Sequence, residues 1–156
     1  MTQAALIEKM DSSPETLVTP EFSSTFDLLE NSRENIFLTG KAGTGKSTFL
    51  KYFRENTKKQ MAVVAPTGVA ALNVNGQTIH SFFRLPPRFV DTQAIKADRR
   101  KIFKELELLI IDEISMVRAD VFDGINRFLQ LARKNNNPFG GVQLCIIGDL
   151  FQLPPI

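Results

Sequence analysis

The chain contains a single cysteine, a single histidine and no tryptophan in 156 residues. The lone cysteine, Cys145, excludes an intramolecular disulfide, and its neighbours in "VQLCIIGD" mark a buried apolar position in a protein of a reducing compartment. No stretch approaches the roughly 18 apolar residues of a membrane-spanning helix, and no basic segment followed by a long apolar core opens the chain. We therefore expect a soluble protein with no membrane partner. Strong charge is missing too: a formal net charge of +2 and a pI near 8.8 are too mild for a surface that binds nucleic acid throughout, so any such site is local. There is no internal repeat. What is present is 43% hydrophobic residues, enough for one core, in a chain too short for two ordinary domains.

Residues 1–18 are polar and broken by the turn-forming run Asp11, Ser12, Ser13 and Pro14, which predicts a loosely held lead-in without chemistry before a domain over 19–156. Thr19 is placed to cap a helix whose first-turn residue is Pro20 and whose inner face carries Phe22, Phe26 and Leu29. Four apolar runs follow, "NIFLT" (35–39), "MAVVA" (61–65), "LELLIID" (106–112) and "VQLCIIGD" (142–149), each reading as a strand buried on both faces. Phe49, Leu50 and Phe53 give one intervening helix its inner face. Val121, Ile125, Phe128, Leu129 and Ala132 do the same for another. A further inner face is expected from Ile102, Phe103 and Leu106, with Lys96, Arg99, Arg100, Lys101 and Lys104 on a solvated side. Strands alternating with helices predict an α/β fold, a three-layer arrangement with a mainly parallel sheet and helices on both faces. Phosphate and metal groups should then gather at the C-terminal ends of the strands.

Every chemically suggestive residue follows one of these strands. After the first, residues 40–47 match G-x-x-x-x-G-K-[ST], the phosphate-cradling pattern. Gly40, Gly43 and Gly45 let the backbone curl so that its N–H groups face phosphate oxygens, together with Lys41, Ala42 and Thr44 of the same loop. Lys46 would reach the β- and γ-phosphates, Ser47 would hold Mg²⁺ through its hydroxyl, and Thr48 opens the helix beyond. A glycine-rich turn capping an ordinary helix is the plain alternative. The third apolar run ends in Asp112 and Glu113, fitting a Walker B element in which the aspartate serves Mg²⁺ and the glutamate orients the attacking water. A solvated strand end is the plain alternative there. To this point a kinase, a clamp-loader-type ATPase, a transporter subunit and a helicase all remain open.

The stretches "GKAGTGKST", "APTGVAA", "GQTIHSFF", "IIDEISMV" and "NPFGGVQLCIIGDLFQLPPI", in this order, closely resemble the PIF family of DNA helicases, relatives of the RecD-type motors of superfamily one. The resemblance covers the chain from about residue 19 onward. It implies a RecA-like P-loop NTPase domain that hydrolyses ATP with Mg²⁺ and moves 5′-to-3′ on single-stranded DNA, in the cytoplasm at the nucleoid or, in a eukaryote, in the nucleus or mitochondria. By the same resemblance Gln152 senses the γ-phosphate, and Pro66, Thr67, Gly68, His80 and Ser81 lie along the DNA strand. "TPEF" departs from the family's pattern, placing Phe22 where a glutamine often reads adenine.

The residues alone are consistent with these DNA contacts: "PTGVAA" gives a turn and a helix start whose free N–H groups suit a backbone phosphate. His80, a lone histidine, also fits a structural role, and Phe82 and Phe83 fit a core better than a base-stacking surface. A small-molecule kinase on the same fold should show an acceptor pocket and an arginine-rich lid, where this chain has "TGVAALNVNGQTIHSFF". A nucleotide-binding module without hydrolysis has no need of Glu113. The resemblance further implies a second RecA-like domain that supplies arginines to the transferred phosphoryl group. These 156 residues are therefore expected to bind nucleotide weakly, without unwinding DNA or showing DNA-stimulated ATP turnover.

Overall fold

A computed structural model describes the backbone of residues 20–39 and 45–148, and the side chains from Ser23 onward within them. The expected lead-in, the cap at Thr19, the side chain of Phe22, residues 40–44 and Gln152 lie outside the described residues. In chain order the elements are α1 (Pro20–Asn31), β1 (Ile36–Thr39), α2 (Lys46–Asn56), β2 (Met61–Ala65), α3 (Gly68–Asn73), β3 (Gln77–Thr78), α4 (Ile79–Phe83), α5 (Lys101–Glu105), β4 (Leu108–Ile111), α6 (Ala119–Arg133) and β5 (Gln143–Gly148). The five strands form one sheet in the order β1-β5-β4-β2-β3, and every pairing is parallel. Parallel neighbours need crossover connections, which the intervening helices provide.

Strand periodicity sorts the core into two faces. Ile36, Leu38, Val63, Leu108, Ile110, Cys145 and Ile147 pack with Leu29 of α1 and with Phe49, Leu50 and Phe53 of α2. The alternate residues Val64, Leu109, Ile111 and Leu144 pack on the other side with α4, α5 and α6, including Val121, Ile125, Phe128, Leu129 and Ala132. Leu108–Ile111 is buried at every position because β4 lies inside the sheet and is covered on both sides. The three-layer expectation holds, and so do the inner faces of α2 and α6.

Two expectations need correction. The sheet has a fifth strand, β3, too short to leave an apolar run; it pairs Gln77 and Thr78 with Val64 and Ala65 at the edge. Gly76 makes that approach possible, since a Cβ there would sit 2.5 Å from the Val63 carbonyl oxygen. The second correction concerns the expected helical face from Lys96 to Lys104, since the helix begins only at Lys101 and runs Lys101–Glu105. Asp98 accepts from the Arg100 N–H at 2.9 Å and pairs with its guanidinium at 3.0 Å, a local structure that competes with helix until Lys101. Ile102 is consequently 50% exposed, while Phe103 turns inward against Phe82, Phe83 and Phe128.

Two cations bind the layers together through carbonyl oxygens. Lys59 Nζ donates to Leu29 O at 2.6 Å, Ser32 O at 2.7 Å and Gln143 Oε1 at 2.7 Å, joining the end of α1 to β5. Arg133 donates to Gly140 O and Leu106 O, both at 2.7 Å, and to Phe103 O at 3.0 Å, closing the C-terminal end of α5. Among the described residues no helix is long and apolar enough to cross a membrane.

Cys145 is fully buried at the centre of β5, and burial, with the Asp112 charge adding, pushes its thiol up to about 12. The thiolate is the reactive form. Ellman's reagent should therefore leave the native protein unmodified at neutral pH and titrate one thiol in guanidinium. Modification in plain buffer at the rate of a free thiol would contradict this burial.

Candidate functional site

Beyond β1, the described chain resumes at Gly45, the residue that starts α2 at φ 89. That left-handed conformation costs glycine little. Among the described residues no side chain caps α2, whose start, the positive end of the helix dipole, lies at the sheet's C-terminal edge. Lys46 is the first residue of this helix.

The other half of the site comes from β4. The Asp112 N–H donates to Val64 O at 2.9 Å, extending the pairing with β2 one residue past the strand. Glu113 then turns left-handed, at φ 55 and ψ 48, and starts the 3₁₀ turn Ile114–Met116. Neighbouring residues of a continuing strand point to opposite faces. Here the reversal at Glu113 lets both carboxylates reach one ammonium: Lys46 Nζ donates to Asp112 Oδ1 at 3.2 Å and to Glu113 Oε1 at 3.3 Å. A non-glycine residue in this region stores roughly 1–3 kcal/mol of strain, which the surrounding structure must hold in place.

Asp112 is 2% exposed and Lys46 13%. Burial alone would lower the Lys46 pKa; the two carboxylates outweigh it and hold the ammonium above its ordinary range. Burial lifts the Asp112 carboxyl above the usual carboxylate range, with Lys46 opposing it. The cluster therefore carries excess negative charge once Lys46 is drawn elsewhere. Ser47 is exposed at the same helix start and its hydroxyl donates to Asn73 O at 3.4 Å, while Thr48 is half-buried one residue on. Among the described residues no group of three or more His, Cys, Asp or Glu side chains is built to cage a metal. The carboxylate that follows β4 and the serine hydroxyl at the start of α2 are oxygen donors of the kind a hard divalent cation takes.

The residues expected along a nucleic-acid strand sit beyond β2 and β3. Thr67 is the N-cap of α3, its hydroxyl accepting from the Ala70 N–H at 3.2 Å; Gly68 is exposed, with open space where a Cβ would stand. Thr78 caps α4 in the same way, accepting from the Ser81 N–H at 3.2 Å. His80 and Ser81 follow on that helix, half-buried and exposed respectively. Pro66 and His80, from different segments, line one cavity with Met116, Val117 and Arg118 from the segment after Glu113. Spacing alone did not reveal those three, although they closely follow the paired carboxylates. Phe82 and Phe83 are core residues, 7% and 1% exposed.

The profile of the PIF1-like helicase family matches residues 20–156. The chain belongs to that family. It is 41% identical over 129 residues to human ATP-dependent DNA helicase PIF1, covering 79% of this chain and 20% of that protein. It is 37% identical over 156 residues to the ATP-dependent DNA helicase RRM3 of Saccharomyces cerevisiae, covering 93% and 21%. A solved structure of Pif1 helicase from Bacteroides in complex with ADP-AlF3 and ssDNA superimposes with a TM-score of 0.80 at 43% identity, over 91% of this chain and 34% of that one. This PIF1-like chain thus spans about a fifth of the length of its curated relatives and a third of the solved one. Its parallel sheet with helices on both faces is the RecA-like fold of the Pif1 helicases.

The left-handed Glu113 of this PIF1-like site gives a test of stored strain. Glu113→Gly and Glu113→Gln both remove the carboxylate, but only glycine relaxes the backbone. The glycine variant should be the more stable of the two by about 1 kcal/mol in urea unfolding. Equal midpoints would show that the conformation is unstrained.

Proposed function

We propose that this chain is the ATP-binding motor domain of a DNA helicase that moves 5′-to-3′ along single-stranded DNA. The single observation that carries this is the clasp of Lys46 by Asp112 and Glu113 at the C-terminal edge of a parallel sheet. Family membership supplies the context, since the relatives are named ATP-dependent DNA helicases and a related structure is a Pif1 helicase in complex with ADP-AlF3 and ssDNA.

In this reading Lys46 exchanges its two carboxylates for the β- and γ-phosphate oxygens as a triphosphate enters at the start of α2, beside the backbone of Gly40, Lys41, Ala42, Gly43, Thr44 and Gly45. Asp112 and Ser47 would hold Mg²⁺, which when bound would neutralise phosphate charge. Glu113, released from Lys46, accepts a proton from the attacking water or orients it. Gln152 senses the γ-phosphate. Pro66, Thr67, Gly68, His80 and Ser81 follow the backbone of the strand, a set of contacts to phosphate that suits movement blind to sequence. A kinase reading is less well supported, because the segment after β2 forms capped helix starts where an acceptor lid would be needed.

Calorimetry tests the nucleotide site. Lys46→Ala should weaken ATP binding by about tenfold or more while the fold persists, and Asp112→Asn should remove the gain that Mg²⁺ brings. Equal ATP affinity in Lys46→Ala would overturn the assignment. For the DNA path, the affinity for labelled single-stranded DNA should fall with salt and drop further when Thr67 and His80 are both substituted. Salt-insensitive binding, or no response to the double substitution, would rule that path out.

A further inference from the structure

Gly148, the last residue of β5, is buried and pairs with Thr39 at the end of β1. It stands between the two halves of the site, since β5 separates β1 from β4. Ile114, the residue that follows Glu113, lies directly against it. A Cβ at position 148 would sit 2.5 Å from Ile114 Cγ2, 3.5 Å from the Ile114 backbone nitrogen and 3.7 Å from Ile114 Cβ. The last two are ordinary contacts. The first is far inside the 3.5–4.0 Å at which carbon atoms rest against one another.

Ile114 has little room to give ground. Its Cγ2 branches at Cβ, so this methyl moves only if the stiff χ1 turns or the backbone shifts. On its other side the chain packs against the core cluster shared by β4 and α6. Its backbone belongs to a tight turn, closed by the Met116 N–H donating to Glu113 O and the Val117 N–H donating to Ile114 O, each at 3.0 Å. Glu113 begins that turn at φ 55. An atom added to Gly148 would therefore push on the residue to which the left-handed glutamate is joined.

We propose that Gly148 and Ile114 are positioning residues: the bare Cα of Gly148 seats the Ile114 side chain, and that seat holds Glu113 left-handed with its carboxylate turned to Lys46. Both act through Glu113. A left-handed glutamate is unfavourable by itself, so it needs a neighbour fixed from outside the turn. The bearing of this seat on catalysis rests on the reading of Glu113 as the group that meets the attacking water.

The test reads the backbone of Glu113 by NMR in the chain without nucleotide, so it holds whether or not the ATP reading does. The Cα and Cβ shifts of Glu113 should carry the left-handed signature in the parent chain, as should those of Arg84 and Lys134, which share that conformation at φ 53 and 50. Gly148→Ala should abolish the signature at Glu113 and leave it at Arg84 and Lys134. Ile114→Leu keeps the volume but removes the Cγ2 branch, and adding it to Gly148→Ala should restore Glu113. Ile114→Ala empties the seat without crowding it and should by itself give the same loss at Glu113, which supplies the reading if Gly148→Ala does not fold. An unchanged signature at Glu113 in Gly148→Ala or in Ile114→Ala would overturn the proposal. Loss at Arg84 and Lys134 together with Glu113 would show general loosening of the fold and overturn it too. So would a loss in Gly148→Ala that Ile114→Leu fails to reverse.

Discussion

An ammonium between two carboxylates joins parts of the sequence that have no other reason to meet. Lys46 opens α2, and Asp112 and Glu113 follow β4; the contact reaches across the end of β5, which lies between β1 and β4. Each feature around it makes the contact possible. The crossover brings α2 onto one face, the buried run Leu108–Ile111 fixes the height of Asp112, and the reversal at Glu113 turns a side chain back that would otherwise leave on the opposite face. Three charges in a half-buried place are stable only while they remain partnered. The arrangement therefore favours a ligand that carries both anionic oxygens for the lysine and a cation for the carboxylates.

Much of the architecture was legible because burial writes a period into the chain. The runs at 61–65 and 106–112 announced strands, and Val121, Ile125, Phe128, Leu129 and Ala132 announced the inner face of α6, all of which the structure bears out. β3 was not legible, since two residues at a sheet edge are held by main-chain bonds and leave no pattern. The stretch from Arg84 to Arg100 was illegible for a related reason. Its path is set by single side chains reaching backbone from afar, as Asp120 accepts from the Val90 N–H at 2.8 Å and Arg118 donates to Arg88 O at 3.4 Å.

At the site, residue identity was easier to read than residue geometry. The carboxylate pair and the lysine stood out by type and order. That Glu113 adopts a left-handed backbone did not, because no short polar or glycine residue marks it. Nor did the sequence indicate that Met116, Val117 and Arg118 share a cavity with Pro66 and His80. That juxtaposition arises because β2 and β4 are neighbours in the sheet, so the segments leaving their C-terminal ends meet at the same edge.

The half-buried ammonium of Lys59 has a consequence for which cation can occupy its position. Two carbonyl oxygens and an amide oxygen surround Nζ at 2.6–2.7 Å, one for each of the three N–H bonds that a tetrahedral ammonium directs into space. A guanidinium sends its donors out in one plane and is bulkier, so it cannot meet the same three oxygens from the same point. Shape, more than charge, makes this position lysine's, and the joint between α1 and β5 is keyed to the smaller cation.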